Sequence, residues 1–291
     1  MFLGELESME ESSGGGELGG IEGDDGSELF ASFHGPIVHN LSTFTQQILV
    51  EEECLTLYGN LSMVPMNVTC LGHAPTLNQS RMTRAIILIA MAVFSLMGNV
   101  ATMLSIRKSK RHKSIHVYTL IYHLSIADLW VTFWCILGEA LWFLTVEWKA
   151  GNWGCKIFKF SQMFGLYLST FIMVLIGVDR FIAVKYPLKS MRKGLCNRLV
   201  GVCWGISAVL SLPQIFVFHV DVGPFVEEFY QCVTYGTYTA EWQEHLYATF
   251  TILFMFIIPL IILASTYLLT VCTLQRKSFL PRITHTTTTN K

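Results

Sequence analysis

Five long apolar stretches follow a polar first segment, and this alternation is the clearest pattern in the chain. The stretches lie at about 85–106, 117–144, 155–183, 199–219 and 246–272. Each is long enough, at about 1.5 Å per residue, to cross the ~30 Å of hydrocarbon in a bilayer. The pattern predicts an all-α membrane protein whose transmembrane bundle occupies residues 84–275.

The first 83 residues carry twelve Asp and Glu against one basic residue, Arg81. Runs of Gly and Ser interrupt them, and so polar a segment cannot bury a core. We therefore expect residues 1–83 to form a disordered acidic tail. No apolar stretch follows Met1, so no cleavable signal peptide is expected.

The loops between the spans differ in charge. The loops after the first and third spans are basic without acids, whereas the loop after the fourth span is acidic without Lys or Arg. Because basic loops stay on the cytoplasmic side, this predicts a multi-pass plasma-membrane protein with an extracellular N-terminus. Residues 276–291 would then form a cytoplasmic tail.

Glycosylation acceptor patterns agree with this orientation. Four Asn-x-Ser/Thr matches precede the first span and none follows it. Four matches on the side that the charge pattern places outside favour glycosylation of the group. The predicted sites are Asn40, Asn60, Asn67 and Asn78.

Cysteines on the outer side predict a disulfide. Cys155 opens the third span and Cys232 lies in the acidic loop, so both face an oxidising space where disulfides form. We expect them to pair. Cys54 and Cys70 could also pair, but the sequence does not decide this connectivity.

Three polar residues lie at similar depth inside the first three spans: Asn99, Asp128 and Ser169. An unpaired carboxylate at that depth is expensive, so Asp128 needs either a partner or a proton. One interpretation is a hydrated cluster that could hold a sodium ion. The other is a neutral Asp128 hydrogen-bonded between helices, and the residues do not choose between them.

Two further polar residues predict a ligand pocket near the outer end. Glu139 lies eleven residues after Asp128, which in a regular helix returns to nearly the same face. Gln162 lies eighteen residues, or five turns, before Arg180 on the third span. Both would face the bundle interior among tryptophans, where a polar or amidated ligand could bind.

The third span ends in an Asp179-Arg180 pair followed by Tyr186-Pro187-Leu188. The other landmarks are Gly98-Asn99, Leu124 to Asp128, Cys155, Phe181, Trp204, Cys232, Pro259 and Tyr267. In this order and spacing, they resemble class A, rhodopsin-like G-protein-coupled receptors over residues 85–275. Within the class, the stretches Leu168 to Arg180, Val184 to Ser190 and Pro224 to Thr234 resemble the gonadotropin-releasing-hormone receptor superfamily. They are most similar to arthropod corazonin receptors, with adipokinetic-hormone receptors as close rivals.

The resemblance implies a receptor for a short amidated neuropeptide that signals through a Gq-type protein and calcium. Arg180 would pair with Asp179 at rest and then contact Tyr267 and the G protein, which Leu188 would also contact. Glu139 matches the acidic pocket position of the resembled receptors. Gln162 lies at the position where these receptors have a lysine. The way in which they recognise their ligands therefore cannot be carried over completely to this chain.

The chain also departs from that family, because two of its seven helices do not follow the fifth span. We expect the chain as written not to signal. The alternative is a five-helix isoform that associates with the full-length receptor and dampens it, with retention in the endoplasmic reticulum. Neither an enzyme nor a nucleic-acid partner is expected, since no catalytic motif appears at the required spacing.

Overall fold

A computed structural model of the chain describes residues 47–58, 68–108, 116–186 and 193–288. These residues fall into two compact units. One comprises the described residues up to Pro75 together with Pro224–Glu228. The other contains Thr76–Gly223 and the residues from Phe229 onward.

The first unit corrects the prediction of a disordered tail for the part of that tail that the structure describes. Strand β1 (Gln47–Val50) leads directly into helix α1 (Glu51–Tyr58) and pairs in parallel with strand β2 (Val68–Leu71). A Cys54–Cys70 disulfide ties α1 to β2. A polar segment with few apolar residues cannot be stabilised by a hydrophobic core. The disulfide stabilises it by constraining the unfolded chain.

The same unit includes the loop Pro224–Glu228. Gly72 forms an isolated parallel bridge with Phe225, and Val226 N–H donates to the Gly72 carbonyl at 3.0 Å. Glu227 accepts hydrogen bonds from Ala74 N–H at 2.8 Å and from His73 Nδ1 at 2.6 Å. We call these contacts the N-terminal latch.

The second unit confirms the predicted all-α membrane fold. It contains five helices that are long and apolar enough to cross a membrane. Two of them contain a π-helical turn, at Thr132–Leu137 and Leu253–Ile257. The elements are α2 (Gln79–Lys108), α3 (His116–Thr145), α4 (Gly151–Lys185), α5 (Lys193–Ser211) with the short α6 (Pro213–Val217), and α7 (Glu241–Ile252 continuing through Ile258–Thr288).

Helix α4 lies at the centre of this unit and packs against α3, α5, α6 and α7. Two glycines let its neighbours approach closely. A Cβ added at Gly165 would lie 2.8 Å from Trp130 Cδ1 on α3. One added at Gly177 would lie 3.0 Å from Leu263 Cδ2 on α7. Around Gly165, Phe164 and Leu168 pack against Trp130 on α3 and Trp204 on α5 to form the core.

Most helix ends differ from the predicted bounds, as three examples show. The first helix begins at Gln79 rather than 85, because Asn78 Oδ1 accepts Arg81 N–H at 2.8 Å and caps it. The fourth span, predicted to reach 219, ends as a helix at Val217, and the chain then enters a strand. The fifth helix continues to Thr288, inside the predicted tail 276–291.

Strands β3 (His219–Val222) and β4 (Tyr230–Val233) form an antiparallel hairpin between α6 and α7. Gln231 Nε2 donates to the Val146 carbonyl at 2.9 Å, and Trp148 N–H donates to the Tyr230 carbonyl at 2.8 Å. The hairpin is therefore held against the short connection between α3 and α4. We call this end of the bundle the outer end and the end with Asp179 and Arg180 the inner end.

Candidate functional site: polar contacts between α3 and α4

Among the described residues, three hydrogen bonds between side chains join α3 to α4, at the outer end, in the middle and at the inner end. The outer contact is made by Gln162 Nε2, which donates to Glu139 Oε1 at 2.8 Å. The two predicted pocket residues therefore meet. Gln162 lies on the face of α4 that the core buries, and its side chain is fully buried.

The side-chain amide of Gln162 uses its N–H groups in hydrogen bonds but not its oxygen. Its Nε2 also donates to the Trp134 carbonyl at 3.2 Å, whereas its buried Oε1 has no hydrogen-bond partner. Trp134 lies in the π-helical turn Thr132–Leu137. At the end of this turn, Gly138 N–H donates to the carbonyls of Phe133 and Cys135 and not to that of Trp134. Such turns concentrate at functional sites. A buried amide oxygen without a donor can accept a hydrogen bond from a ligand.

Lys159 is a further outer-end residue, and sequence reasoning missed it. Its side chain is 5% exposed, and its ammonium lies 4.7 Å from the Trp142 ring centroid and 4.9 Å from that of Phe218. A cation above an aromatic face is stabilised by the ring's charge distribution. Lys159 precedes Gln162 by one turn, and this spacing was the available signal. The outer end thus combines a carboxylate, an amide and a cation.

The outer end is also clamped covalently. Cys155 and Cys232 form a disulfide with a Cα–Cα distance of 5.6 Å, which ties β4 to the start of α4. Phe158 and Trp148 pack against it. Trp148 is therefore a core residue.

The middle contact joins two members of the predicted polar cluster. Ser169 Oγ donates to Asp128 Oδ1 at 2.6 Å. Asn99, the third member, does not contact that carboxylate: its Nδ2 donates to the Ser95 carbonyl at 3.0 Å. Ser95 Oγ lies 2.6 Å from Thr132 Oγ1, which donates to the Asp128 carbonyl at 2.7 Å. Two hydroxyls that the sequence did not single out thus link α2 to α3.

The fit of a sodium ion can be tested on these contacts. Hard cations take about six or more oxygen ligands, and the described side chains bring together the Asp128 carboxylate and the Ser169 hydroxyl. Asn99 points its amide nitrogen toward Ser95. The predicted sodium ion stays a prediction that rests on the charge of Asp128.

The inner contact involves a residue that lies just before the predicted start of the second span. His116 Nε2 lies 3.0 Å from Asp179 Oδ1, and Asp179 is 2% exposed. Arg180, the predicted partner, lies at 3.4 Å from Asp179 Oδ2, an ion-pair distance without a hydrogen bond. Asp179 is therefore held both by the adjacent arginine and by a histidine from α3.

Tyr267, another predicted inner residue, is not part of this contact. Tyr267 is 70% exposed, and within the described residues no hydrogen bond joins it to Arg180. The prediction of a contact rested on the similar depths of Tyr267 and Arg180, and it did not consider the direction in which Tyr267 points from α7. Leu188 lies outside the described residues.

Of the four predicted glycosylation sites, Asn40, Asn60 and Asn67 lie outside the described residues. Asn78 is exposed at the start of α2. Its Oδ1 accepts the Arg81 N–H, while Nδ2, the atom to which a glycan attaches, makes no recorded hydrogen bond. Glycosylation at Asn78 therefore stays a prediction that the geometry allows.

Comparison with known protein families identifies the class of membrane protein to which the chain belongs. Residues 98–285 match the family described as 7 transmembrane receptor (rhodopsin family). This match spans more than half of the chain, and the chain belongs to this family.

Individual relatives are gonadotropin-releasing hormone receptors. The chain is 36% identical over 212 residues to one from Octopus vulgaris, covering 72% of this chain and 51% of the relative. It is 39% identical over 197 residues to a gonadotropin-releasing hormone II receptor from Chlorocebus aethiops, covering 66% and 51%. A receptor from Bos mutus grunniens is 30% identical over 237 residues, covering 78% and 70%. The chain thus spans about half the length of the first two relatives.

Proposed function

We propose that the chain is a receptor for a short amidated peptide hormone, of the corazonin-like branch of the gonadotropin-releasing-hormone receptor group. The observation that carries this proposal is the contact between the half-buried Glu139 and the buried Gln162, beside the clamped hairpin. The names of the similar proteins support a peptide hormone as the ligand class. The receptor would act in the plasma membrane with its N-terminus outside.

The chemistry of the outer end suits an amidated peptide. A terminal carboxamide offers two N–H donors and one carbonyl acceptor. Gln162 Oε1 and the Glu139 carboxylate can accept the two donors, and the Lys159 ammonium can donate to the carbonyl. Aromatic walls from Trp134, Trp142 and Phe218 exclude water, which strengthens each of these hydrogen bonds.

At the inner end, the proposal assigns G-protein coupling to Asp179 and Arg180, with Leu188 and Tyr267 as further contacts. Arg180 is 49% exposed, so its guanidinium can reach a partner on the inner side while Asp179 stays buried. The G protein would be of the Gq type, with calcium as the readout. The regulatory five-helix isoform remains an alternative prediction, tested by whether co-expression of this chain lowers the surface level of a full-length receptor.

The test uses the chain joined, after Arg276, to the sixth and seventh helices of the octopus relative, which we call the seven-helix chimera. Calcium release is measured with corazonin-type, adipokinetic-hormone-type and gonadotropin-releasing-hormone-type peptides, each as the amide and as the free acid. We expect a response to one amidated peptide and at least about a tenfold weaker response to its free acid. A surface-expressed chimera that answers no amidated peptide would contradict the proposal.

A further inference from the structure

The buried carboxylate of Asp179 has two neighbours that differ in distance and exposure. His116 Nε2 lies 3.0 Å from Oδ1, and the His116 side chain is largely buried. Arg180 lies 3.4 Å from Oδ2 without a hydrogen bond, and half of its side chain is exposed. Since burial weakens the competition of water, the histidine contact is the stronger one.

The direction of this hydrogen bond follows from the chemistry of its partners. An ionised carboxylate can only accept, so Nε2 of His116 carries the proton and donates it. The contact therefore joins the beginning of α3 to the inner end of α4. Arg180 cannot provide this link, because it follows Asp179 on the same helix.

A second observation places the same residue against α5. The Cys196 thiol donates to the His116 carbonyl at 3.7 Å, and Cys196 is fully buried. Leu120, one turn further along α3, packs in the same cluster with Cys196 and Val200. His116 thus lies at the point where α3, α4 and α5 meet, and its ring supplies the polar contact to α4.

We propose that His116 is a positioning residue that holds Asp179 and thereby keeps the inner ends of α3, α4 and α5 together in the resting state. Losing the His116 hydrogen bond leaves Asp179 to Arg180 alone and loosens the inner end. The signalling consequence of this inference rests on the proposed receptor function, whereas the contact itself does not.

The first experiment uses the chain in membranes and needs no signalling. The alkylation rate of Cys196 by N-ethylmaleimide is followed by peptide mass spectrometry, with the exposed Cys272 as the internal reference. Replacing His116 by Leu keeps most of the volume but removes the donor. We expect His116→Leu to raise the Cys196 rate at least about fivefold through local opening, with Cys272 unchanged.

Matched variants separate a hydrogen bond from simple packing. His116→Gln keeps a terminal N–H that can reach Asp179, and we expect a Cys196 rate within about twofold of wild type. Asp179→Ala should raise the rate as His116→Leu does, and the double variant should add little, because the two residues act as one unit. Multiplicative effects of the two substitutions, or a fast rate in His116→Gln, would overturn the proposal.

The second experiment measures hormone-independent inositol phosphate production of the seven-helix chimera, per receptor at the cell surface. We expect His116→Leu to raise it at least about twofold and His116→Gln to leave it unchanged. In a chimera that responds to hormone, an unchanged basal signal in His116→Leu would overturn the signalling part of the inference. A wild-type chimera without any hormone response would instead count against the proposed function, and the Cys196 rates would still decide the contact.

Discussion

The outer and inner ends of the α3–α4 interface each hold one carboxylate, but the two carboxylates meet different partners. Glu139 at the outer end accepts from the neutral amide of Gln162, whose own oxygen has no donor. Asp179 at the inner end lies between His116 and Arg180. The outer end therefore has an acceptor without a donor, whereas the inner carboxylate has a histidine at hydrogen-bond distance from one oxygen and an arginine at ion-pair distance from the other.

This difference suits two different tasks. Unused buried acceptors favour a ligand that brings N–H groups, because binding removes the cost of an unsatisfied polar atom. A carboxylate that is already paired stabilises one arrangement of the helices until something competes for its partners. We therefore assign ligand binding to the outer end and restraint of the helices to the inner end.

The variant Gly165→Leu should damage both ends at once. A Cβ at this position would lie 2.8 Å from Trp130 Cδ1 and 3.5 Å from the Val131 backbone nitrogen. Because the Cβ alone would be too close to the Trp130 ring and leucine adds three more carbons, we expect a loss of about 2–3 kcal/mol in the free energy of unfolding and of most of the surface expression. Gly201→Leu, where a Cβ meets nothing within 4 Å, serves as the control for thermal unfolding and cell-surface labelling. Equal damage from both variants would argue against close α3–α4 packing.

The variant Arg180→Ala should damage the inner end alone. Its guanidinium is half exposed and makes no contact with the outer residues. In the seven-helix chimera we expect calcium signalling to fall by about a hundredfold or more, with peptide affinity within about threefold of wild type. Arg198→Ala, an exposed arginine at the same end of α5, should leave both unchanged. Lost peptide binding in Arg180→Ala would break the assignment.

The variant Glu139→Gln should damage the outer end alone. It removes a charged acceptor while keeping the size of the side chain. Loss of one charged hydrogen bond costs about 1.5–3 kcal/mol, so we expect peptide affinity to fall about 10–100-fold in equilibrium binding. Glu244→Gln, an exposed glutamate near the same end of α7, is the matched control. Unchanged affinity would leave Glu139 with a structural role only.

The smallest effect is expected at the N-terminal latch, which depends on pH. The hydrogen bond and the charge of Glu227 raise the pKa of His73, and Glu52 adds to this. The Ala74 N–H and His73 lower the pKa of Glu227. The latch is therefore strongest between the lowered pKa of Glu227 and the raised pKa of His73, and it weakens as pH rises through the latter.

Hydrogen exchange of the amides of Ala74 and Val226 can measure this, because both N–H groups bond across the latch. After correction for intrinsic rates, we expect protection to fall by a small factor, about two- to fivefold, between roughly pH 5.5 and 8.5. His73→Gln should abolish the pH dependence. Amides of α1 near the Cys54–Cys70 disulfide should keep their protection. The same decline in His73→Gln would exclude His73 as the titrating group.

The five membrane helices and the depths of the outer and middle polar residues could be predicted from the sequence. Apolar length defines a span, and a rise of about 1.5 Å per residue places Glu139 and Gln162 near the outer end and Asp128 at a depth similar to that of Ser169. The regular-helix argument that joined Asp128 to Glu139 missed the π-helical turn between them. Both carboxylates still reach α4, at positions two turns apart.

Other parts of the site depend on contacts that no local pattern reveals. His116 precedes the predicted second span, so only the packing of α3 against α4 brings it to Asp179. Depth alone suggested that Tyr267 faces Arg180, but α7 presents Leu263 and Thr266 to α4 at Gly177 and leaves Tyr267 exposed. The β1–β2 pairing in the polar first segment joins strands that are separated by α1, and a disulfide crosslinks α1 to β2. Such pairings can order a segment whose composition alone predicts disorder.

The most direct test of the division between the two ends measures peptide affinity and calcium response together, for Glu139→Gln and Arg180→Ala in the seven-helix chimera at matched surface levels. The account predicts a crossover. Glu139→Gln loses affinity but reaches the full calcium response at saturating peptide, whereas Arg180→Ala keeps its affinity and loses the response at every peptide concentration. If both variants lost the same property, the assignment of ligand binding to the outer end and of G-protein coupling to the inner end would be contradicted.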